Sequence, residues 1–316
     1  MINESFIKDA QNEFREHRKK WSVIYGLKFF IWLIWCAGSL YGIIVAHDFL
    51  TTLIFQLLLG AAFAHGVELQ HQALHQTGFK SRKLNRLAGF TLGIPMLVSY
   101  SAYQDSHLFH HRALGTPEDE EFFNYGDKSE RKISTIFKHF FLVNHFCEFL
   151  KNLIDALNSK KFVTKAVSKN GNKMRVEYIF IGVIFFGCAG LSVYFNSHFF
   201  IKAWLVPLFL IAAPIHALIE LPEHYECDSN SNEVFSNTRS IKSNWLSTWF
   251  TNGNNYHVEH HWYASLPMEK MASIHQQIEP KIVYKCDNYF SFYKTFFSEL
   301  ISGNKKPLPQ ESQETE

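Results

Sequence analysis

The sequence predicts an all-α, polytopic membrane protein: about four transmembrane helices in two hairpins, a re-entrant or interfacial segment between them, and a cytosolic helical cap. Three observations predict it. Apolar residues fall in blocks long enough to cross a bilayer, which takes about 20 residues. Lysines and arginines crowd into the segments outside those blocks, and the two short turns within the hairpins carry none. The histidines, 17 in 316 residues, gather in clusters next to the ends of the blocks.

Residues 1–22 form a basic, amphipathic lead-in, with Arg15, Arg18, Lys19 and Lys20 just before the first apolar run. They are too polar for a signal peptide. Residues 23–46 are the first expected span, with Lys28 placed to reach the headgroups. Only His47 and Asp48 separate it from the second, residues 49–66, so the two read as a hairpin. A helix continuing past residue 66 would carry His71 and His75 just outside the membrane. Lys80, Arg82, Lys83 and Arg86 then mark a cytosolic stretch. Residues 87–104 are apolar but interrupted by Gly89, Gly93 and Pro95, so they read as re-entrant or interfacial. A true span there would put the next histidine cluster on the wrong side of the bilayer.

Residues 112–175 are polar, with one amphipathic piece, Phe140–Leu157, expected on the membrane surface. The third and fourth spans are expected at 176–195 and 199–219, the latter containing Pro207 and Pro214. After Leu221 the chain is polar. Residues 23–302 read as a single membrane domain, and Gly303–Glu316 as a disordered tail. By the charge rule both termini, the middle segment and every histidine cluster lie in the cytoplasm, with a bacterial inner membrane the expected location.

Composition excludes several functions. A net charge of +2 and no basic-aromatic pattern argue against nucleic acid. Cys36, Cys147, Cys188, Cys227 and Cys286 are scattered, with no Cys-x-x-Cys pair, which argues against a zinc ribbon, an iron–sulfur cluster or a fused rubredoxin. Their odd number fits a reducing compartment.

The chemistry sits in the histidines. His107-x-x-His110-His111 and His257-x-x-His260-His261 repeat one pattern, and offsets of three and four return to one helix face. Each triplet is therefore expected to aim at one point. His71 and His75 add an i, i+4 pair. Two such triplets arise by chance in roughly one sequence per thousand at this histidine content. Eight imidazoles exceed the four ligands of one zinc ion. After the last span, His216, Glu220 and His224 share a helical face unless Pro222 breaks it. His224 lies with the other clusters and is a candidate ligand. His216, deeper, reads as a buried, hydrogen-bonded histidine, and His65 is off the face of the first cluster. Glu220 can be a carboxylate ligand, a water-holder or an orienting group, and the sequence does not rank these. A site of this kind holds more than one metal, and imidazole suits iron, copper, nickel or zinc. Two metals with open positions at a membrane surface point to oxygen chemistry on a greasy substrate.

In these three histidine boxes, with the further histidine of Glu223-His224-Tyr225, the chain resembles the integral-membrane fatty acid desaturase and hydroxylase superfamily. The resemblance spans roughly residues 30–275. It extends to Leu114-Gly115-Thr116 with Glu118-Asp119, to Asn237-Thr238-Arg239-Ser240, to Asn254-Asn255-Tyr256 and to Leu266-Pro267. It implies two non-heme iron ions on the cytosolic face, held by His71, His75, His107, His110, His111, His224, His257, His260 and His261. O₂ is then a co-substrate, and the reaction introduces a double bond into an acyl chain or lipid. Asp119 and Arg239 are either loop salt bridges and turn caps or residues that orient ligands. Trp262 and Tyr263 read as interfacial anchors. No cytochrome b5, ferredoxin or flavin fingerprint is visible, so electrons are expected from a separate ferredoxin, rubredoxin or cytochrome b5-type donor with its reductase. Hydroxylation of a lipid or of a small secondary-metabolism substrate is the alternative outcome on the same scaffold. A histidine-rich metal transporter would place its polar residues near the bilayer midplane, whereas these lie outside the spans. A zinc protease would need His-Glu-x-x-His, which is absent.

Overall fold

The computed structural model describes residues 4–123, 133–167 and 169–302. A short helix, α1 (Glu4–Glu16), leads into α2 (Arg18–Val45), and residues 46–48 turn the chain into α3 (Phe49–Leu74). Asp48 starts α3: its carboxylate accepts from the Thr51 amide, a donor that the helix start would otherwise leave unpaired. The two long helices pack antiparallel. The Tyr25 hydroxyl donates to Leu69 O, the Trp32 indole donates to Ala62 O, and Gly42 lies directly under the Phe55 ring. Both polar groups are thereby satisfied inside the apolar bundle, where water is absent.

α4 (Arg82–Gly93) and α5 (Tyr100–Ala113) follow, joined by one 3₁₀ turn at Ile94–Met96 and by Leu97 in the left-handed conformation. At about 1.5 Å per residue neither is long enough for a ~30 Å hydrocarbon core. The expected re-entrant segment is thus the end of one short helix and the start of the next. α6 (Ile133–Phe140) and α7 (Val143–Leu157) are amphipathic: Ile133, Phe137, Ile154 and Leu157 face outward, while His145, Phe149 and Leu153 are buried.

α8 (Gly171–Tyr194) opens the second hairpin. Its partner is π-wound over Ile201–Ala212 and continues as α9 (Ala213–His224). This last span runs parallel to α3: Gln56 bonds Lys202 O, Gly60 meets Pro207 and Ile211, and Glu68 faces His216. Both hairpin turns therefore lie at one end of the bundle, and the histidine-bearing ends lie at the other. The prolines are absorbed locally. In a π-helix Pro207 would have bonded Lys202 O, and Gln56 Nε2 takes that carbonyl at 2.9 Å. Pro222 sits inside α9 and does not break it; Leu218 O, which it cannot reach, accepts from the Tyr293 hydroxyl at 2.8 Å.

All four expected spans are present as helices long and apolar enough to cross a membrane. The second and fourth, expected to stop at 66 and 219, run on to Leu74 and His224. The extra turns are polar but buried, because the cap covers them, and they carry His71 and His224.

The cap comprises α10 (Val234–Asn237), β1 (Arg239–Ile241), α11 (Trp245–Phe250), α12 (His257–Trp262), α13 (Met271–Ile278), β2 (Tyr284–Cys286) and α14 (Tyr289–Ser302). β1 and β2 pair in parallel, Arg239 opposite Tyr284. Val258, Met268, Met271, Ile274 and Ile278 form its apolar centre, against which Ala10 of α1 packs. Trp262 and Tyr263, expected as interfacial anchors, lie partly buried against this centre. The tail from Gly303 lies outside the described residues.

Candidate metal centre

Four helices bring their histidines to the covered end of the bundle. α3 contributes His71 and ends on His75, α5 contributes His107, His110 and His111, α9 ends with His224, and α12 contributes His257, His260 and His261. They form two groups. His71, His75, His107, His111 and His260 make one, and His110, His224 and His261 the other; within each, the donor atoms all lie within 4.8 Å of one another. In the first group His71 Nε2 is 2.7 Å from His107 Nε2, and His111 Nε2 is 2.9 Å from His107 Nε2 and 3.0 Å from His260 Nε2. In the second, His224 Nε2 is 3.2 Å from both His110 Nε2 and His257 Nε2, and His257 Nε2 is 3.1 Å from His261 Nε2, so His257 joins that group. The groups adjoin: the His111 ring stacks on His261 at 4.0 Å.

The expectation that each triplet converges on a single point is corrected here. His107 and His111 enter the first group while His110 enters the second, and α12 sends His260 to the first and His257 and His261 to the second. Positions three and four residues along a helix flank the starting residue on opposite sides, roughly 100° apart from each other. A helix lying between two centres therefore feeds both.

The donor set fits metal ions. At a metal–nitrogen distance of about 2 Å, two ligands of one ion stand at most about 4 Å apart, close to the spacing within each group. His75 Nε2 is buried with no hydrogen-bond partner, a lone pair that a metal would take up. Burial, reinforced by neighbouring imidazoles, holds His107, His111, His257, His260 and His261 well below the ordinary imidazole range, and burial alone brings His75 to about 3. These rings are neutral at pH 7, the form that binds metal. In the second group the far nitrogens are fixed: His110 Nδ1 lies 2.7 Å from Asp119 Oδ1, His224 Nδ1 lies 3.1 Å from Asn237 O, and His257 Nδ1 lies 3.1 Å from Asn254 Oδ1. Such partners select the tautomer with Nε2 free for metal.

The remaining candidates divide. Asp119 holds His110 as described. Arg239 reaches neither group. Its guanidinium donates to Pro222 O at 2.6 Å and Tyr225 O at 2.8 Å and lies over the Phe292 ring, so it caps the end of α9 on which His224 sits. Glu220 Oε1 is 3.2 Å from His216 Nε2, and His216 Nδ1 is 3.5 Å from Glu68 Oε1. Glu220 also lines a cavity of about 20 Å³ together with His71, His107, His110 and His257. His65 donates to Phe250 O at 2.7 Å and stacks on Trp249, away from both groups.

Sequence reasoning passed over three residues. Glu259, fully buried, accepts from Ser240 Oγ and from His275 Nδ1, both at 2.5 Å, and ties α12 to β1 and α13. Glu223 accepts from Asn254 Nδ2 at 2.8 Å. Glu177 anchors the start of α5. The only signal for Glu259 was its place inside the last triplet, on the face opposite the ligands.

Two larger cavities flank the site. One of about 670 Å³ has a mixed polar and apolar lining and touches Asp119, Asn237 and His224. The other, about 450 Å³, is an almost wholly apolar groove between the spans and the cap, lined by Trp35, Leu218, Ile219, Leu246, Trp249 and Tyr293.

A family model described as fatty acid desaturase matches residues 47–293. The chain is 21% identical to a Delta(8)-fatty-acid desaturase of Euglena gracilis, across 88% of this chain and 76% of that protein. It is 21% identical to a fatty acid desaturase of Bacillus subtilis (strain 168), across 74% and 70%. It is 24% identical to an acyl-lipid (9-3)-desaturase of Physcomitrium patens, across 67% of this chain and 44% of that protein.

Proposed function

The chain belongs to the fatty acid desaturase family, and from that premise we propose that it is an O₂-dependent membrane oxidoreductase that introduces a double bond into the acyl chain of a lipid or thioester. The observation that carries the reading is the pair of adjoining imidazole groups, built from four separate helices at one end of a membrane bundle. His71, His75, His107, His111 and His260 would hold one iron, and His110, His224, His257 and His261 the other. When bound, such a pair supplies O₂ reduction and the removal of hydrogen from an unactivated C–H bond. The balance is two hydrogens lost from neighbouring carbons, two electrons from a donor and two protons from solvent, with O₂ reduced to two waters.

The protein's own residues prepare that chemistry. Asp119, Asn237 and Asn254 fix the tautomers of the second group. The cap helps to bury His71, His107, His110, His257, His260 and His261, while His75, His111 and His224 stay partly exposed. The apolar groove matches an alkyl chain in character and ends against α9, at the turns that lead to Glu220 and His224. The lysine and arginine distribution supports a cytoplasmic site and cytoplasmic termini, and a separate ferredoxin, rubredoxin or cytochrome b5-type donor would deliver electrons there.

Two measurements test the reading. Metal analysis with Mössbauer spectroscopy on purified protein is expected to find two irons per chain, and stoichiometric zinc alone would refute it. Mass spectrometry of lipids from expressing cells is expected to show species lacking two hydrogens; species gaining one oxygen instead would reassign the enzyme as a hydroxylase.

A further inference from the structure

Proton positions around the second group leave several lone pairs facing one another, and one belongs to a carboxylate. His224 Nδ1 faces the Asn237 carbonyl, which only accepts, so Nδ1 carries the proton and Nε2 is a bare lone pair. His110 Nδ1 faces the Asp119 carboxylate, with the same consequence for its Nε2. Asn254 is oriented by its Nδ2, which donates to Glu223 Oε1 at 2.8 Å. Its Oδ1 therefore faces His257 Nδ1 at 3.1 Å, and that nitrogen too carries its proton. His257 Nε2 is then a third bare lone pair. It stands 3.2 Å from His224 Nε2 and 3.2 Å from Glu223 Oε2. No hydrogen lies between these acceptors, and at such distances they repel unless they share a cation.

We propose that Glu223 is a carboxylate ligand of the second centre, alongside His110, His224, His257 and His261. The proposal rests on the reading of this group as a metal centre. Glu220 pairs with His216, whose Nε2 lies 3.2 Å from its Oε1, whereas Glu223 turns its Oε2 to His257 of the group itself. The first group consists of imidazoles alone. The two centres therefore differ: one is neutral and all-nitrogen, and the other carries an anionic oxygen donor suited to a harder, more highly charged ion.

The test is an anaerobic titration of metal-free protein in detergent micelles with Co(II), whose visible bands report the donor set. Wild type is expected to take two equivalents. Glu223→Gln is expected to keep one at wild-type affinity and to bind the other at least about tenfold more weakly, since even indirect partners of a ligand are worth that much. Its apo circular dichroism should match wild type. Uptake of both equivalents by Glu223→Gln with wild-type affinity and spectrum overturns the proposal. If Glu223→Gln misfolds, Glu223→Asp keeps the charge on a shorter arm: a displaced cobalt band supports coordination, and an unchanged one overturns it. Failure of wild type itself to take two ions would instead bring down the metal reading, and the proposal with it.

Discussion

Removal of the Glu177 carboxylate is expected to loosen the helix that carries His107, His110 and His111. Glu177 lies in the first turns of α8, buried, and accepts from Ser99 Oγ at 2.7 Å, Ser101 N at 2.7 Å and Ser101 Oγ at 2.8 Å, with the Arg86 guanidinium as its ion-pair partner. Ser99 and Ser101 form the start of α5, so one carboxylate pins that helix to the third span. In Glu177→Ala the Ser101 amide cannot turn away, and an orphaned buried donor costs about 1–3 kcal/mol. The two hydroxyls can rotate and recover part of their loss. Arg86 has a third of its side chain exposed and rehydrates, so its pair adds at most about 1 kcal/mol. The total is about 3–5 kcal/mol, the range for breaking a buried charged network from one side. Glu177→Gln keeps one acceptor for Ser101 N and should cost about 1–2 kcal/mol. Thermal unfolding in detergent, followed by tryptophan fluorescence, orders the variants, and hydrogen exchange over residues 99–113 locates the loss. Were Glu177→Ala to melt within about a degree of wild type with unchanged exchange in α5, the carboxylate would not be the anchor described here.

Four further outcomes follow from other contacts. His145, bonded to Met96 O, is held at about 4 by burial, below the 6.5 of an unfolded histidine; the unfolded chain takes the proton first, so its contribution is full above 6.5 and falls by up to about 1.4 kcal/mol per pH unit down to 4. His145→Gln should therefore flatten the acid limb of a melting-temperature profile. Arg239→Lys loses the planar guanidinium that lies over Phe292 and holds Pro222 O and Tyr225 O on a longer arm; it should cost about 1–3 kcal/mol in a denaturation experiment and weaken the metal equivalent that involves His224. Asp119→Asn, which disturbs the proton on His110 Nδ1, should lower metal affinity about 10–100-fold in competition with a chelator. Gly60→Ala would bring a Cβ to 2.5 Å from Ile211 Cβ and 2.9 Å from Pro207 O, and the forced separation of α3 from the last span should cost about 1–3 kcal/mol on melting.

The spans and the histidine boxes were legible because both depend on local pattern: apolar block length, and offsets of three and four. Two things were not. The exact ends of α3 and α9 carry no local mark: continuation past residue 66 was expected, but its length, and whether Pro222 breaks the last helix before His224, depend on burial by a distant cap. The division of each triplet between two centres depends on how α5 and α12 cross the site, a tertiary fact that His-x-x-His-His spacing permits without specifying. What the sequence also displayed, and what was read there only for Arg239, was a set of ionisable residues in places where charge is expensive. Glu177 stands in the first turns of an apolar span, Glu259 is wedged within a histidine box, and Arg239 ends fully buried. Each ties down one ligand-bearing helix: Glu177 the start of α5, Arg239 the end of α9, and Glu259 the body of α12. α3 carries its own buried carboxylate, Glu68, facing His216 of α9, and is gripped between α2 and the last span along its length. A buried charge holds its partner through a large penalty for separation, not through a large net gain. That suits helices whose imidazoles have to stay in register to within a fraction of an ångström, and it explains why groups that contribute little to reading the fold carry so much of the placement of the site.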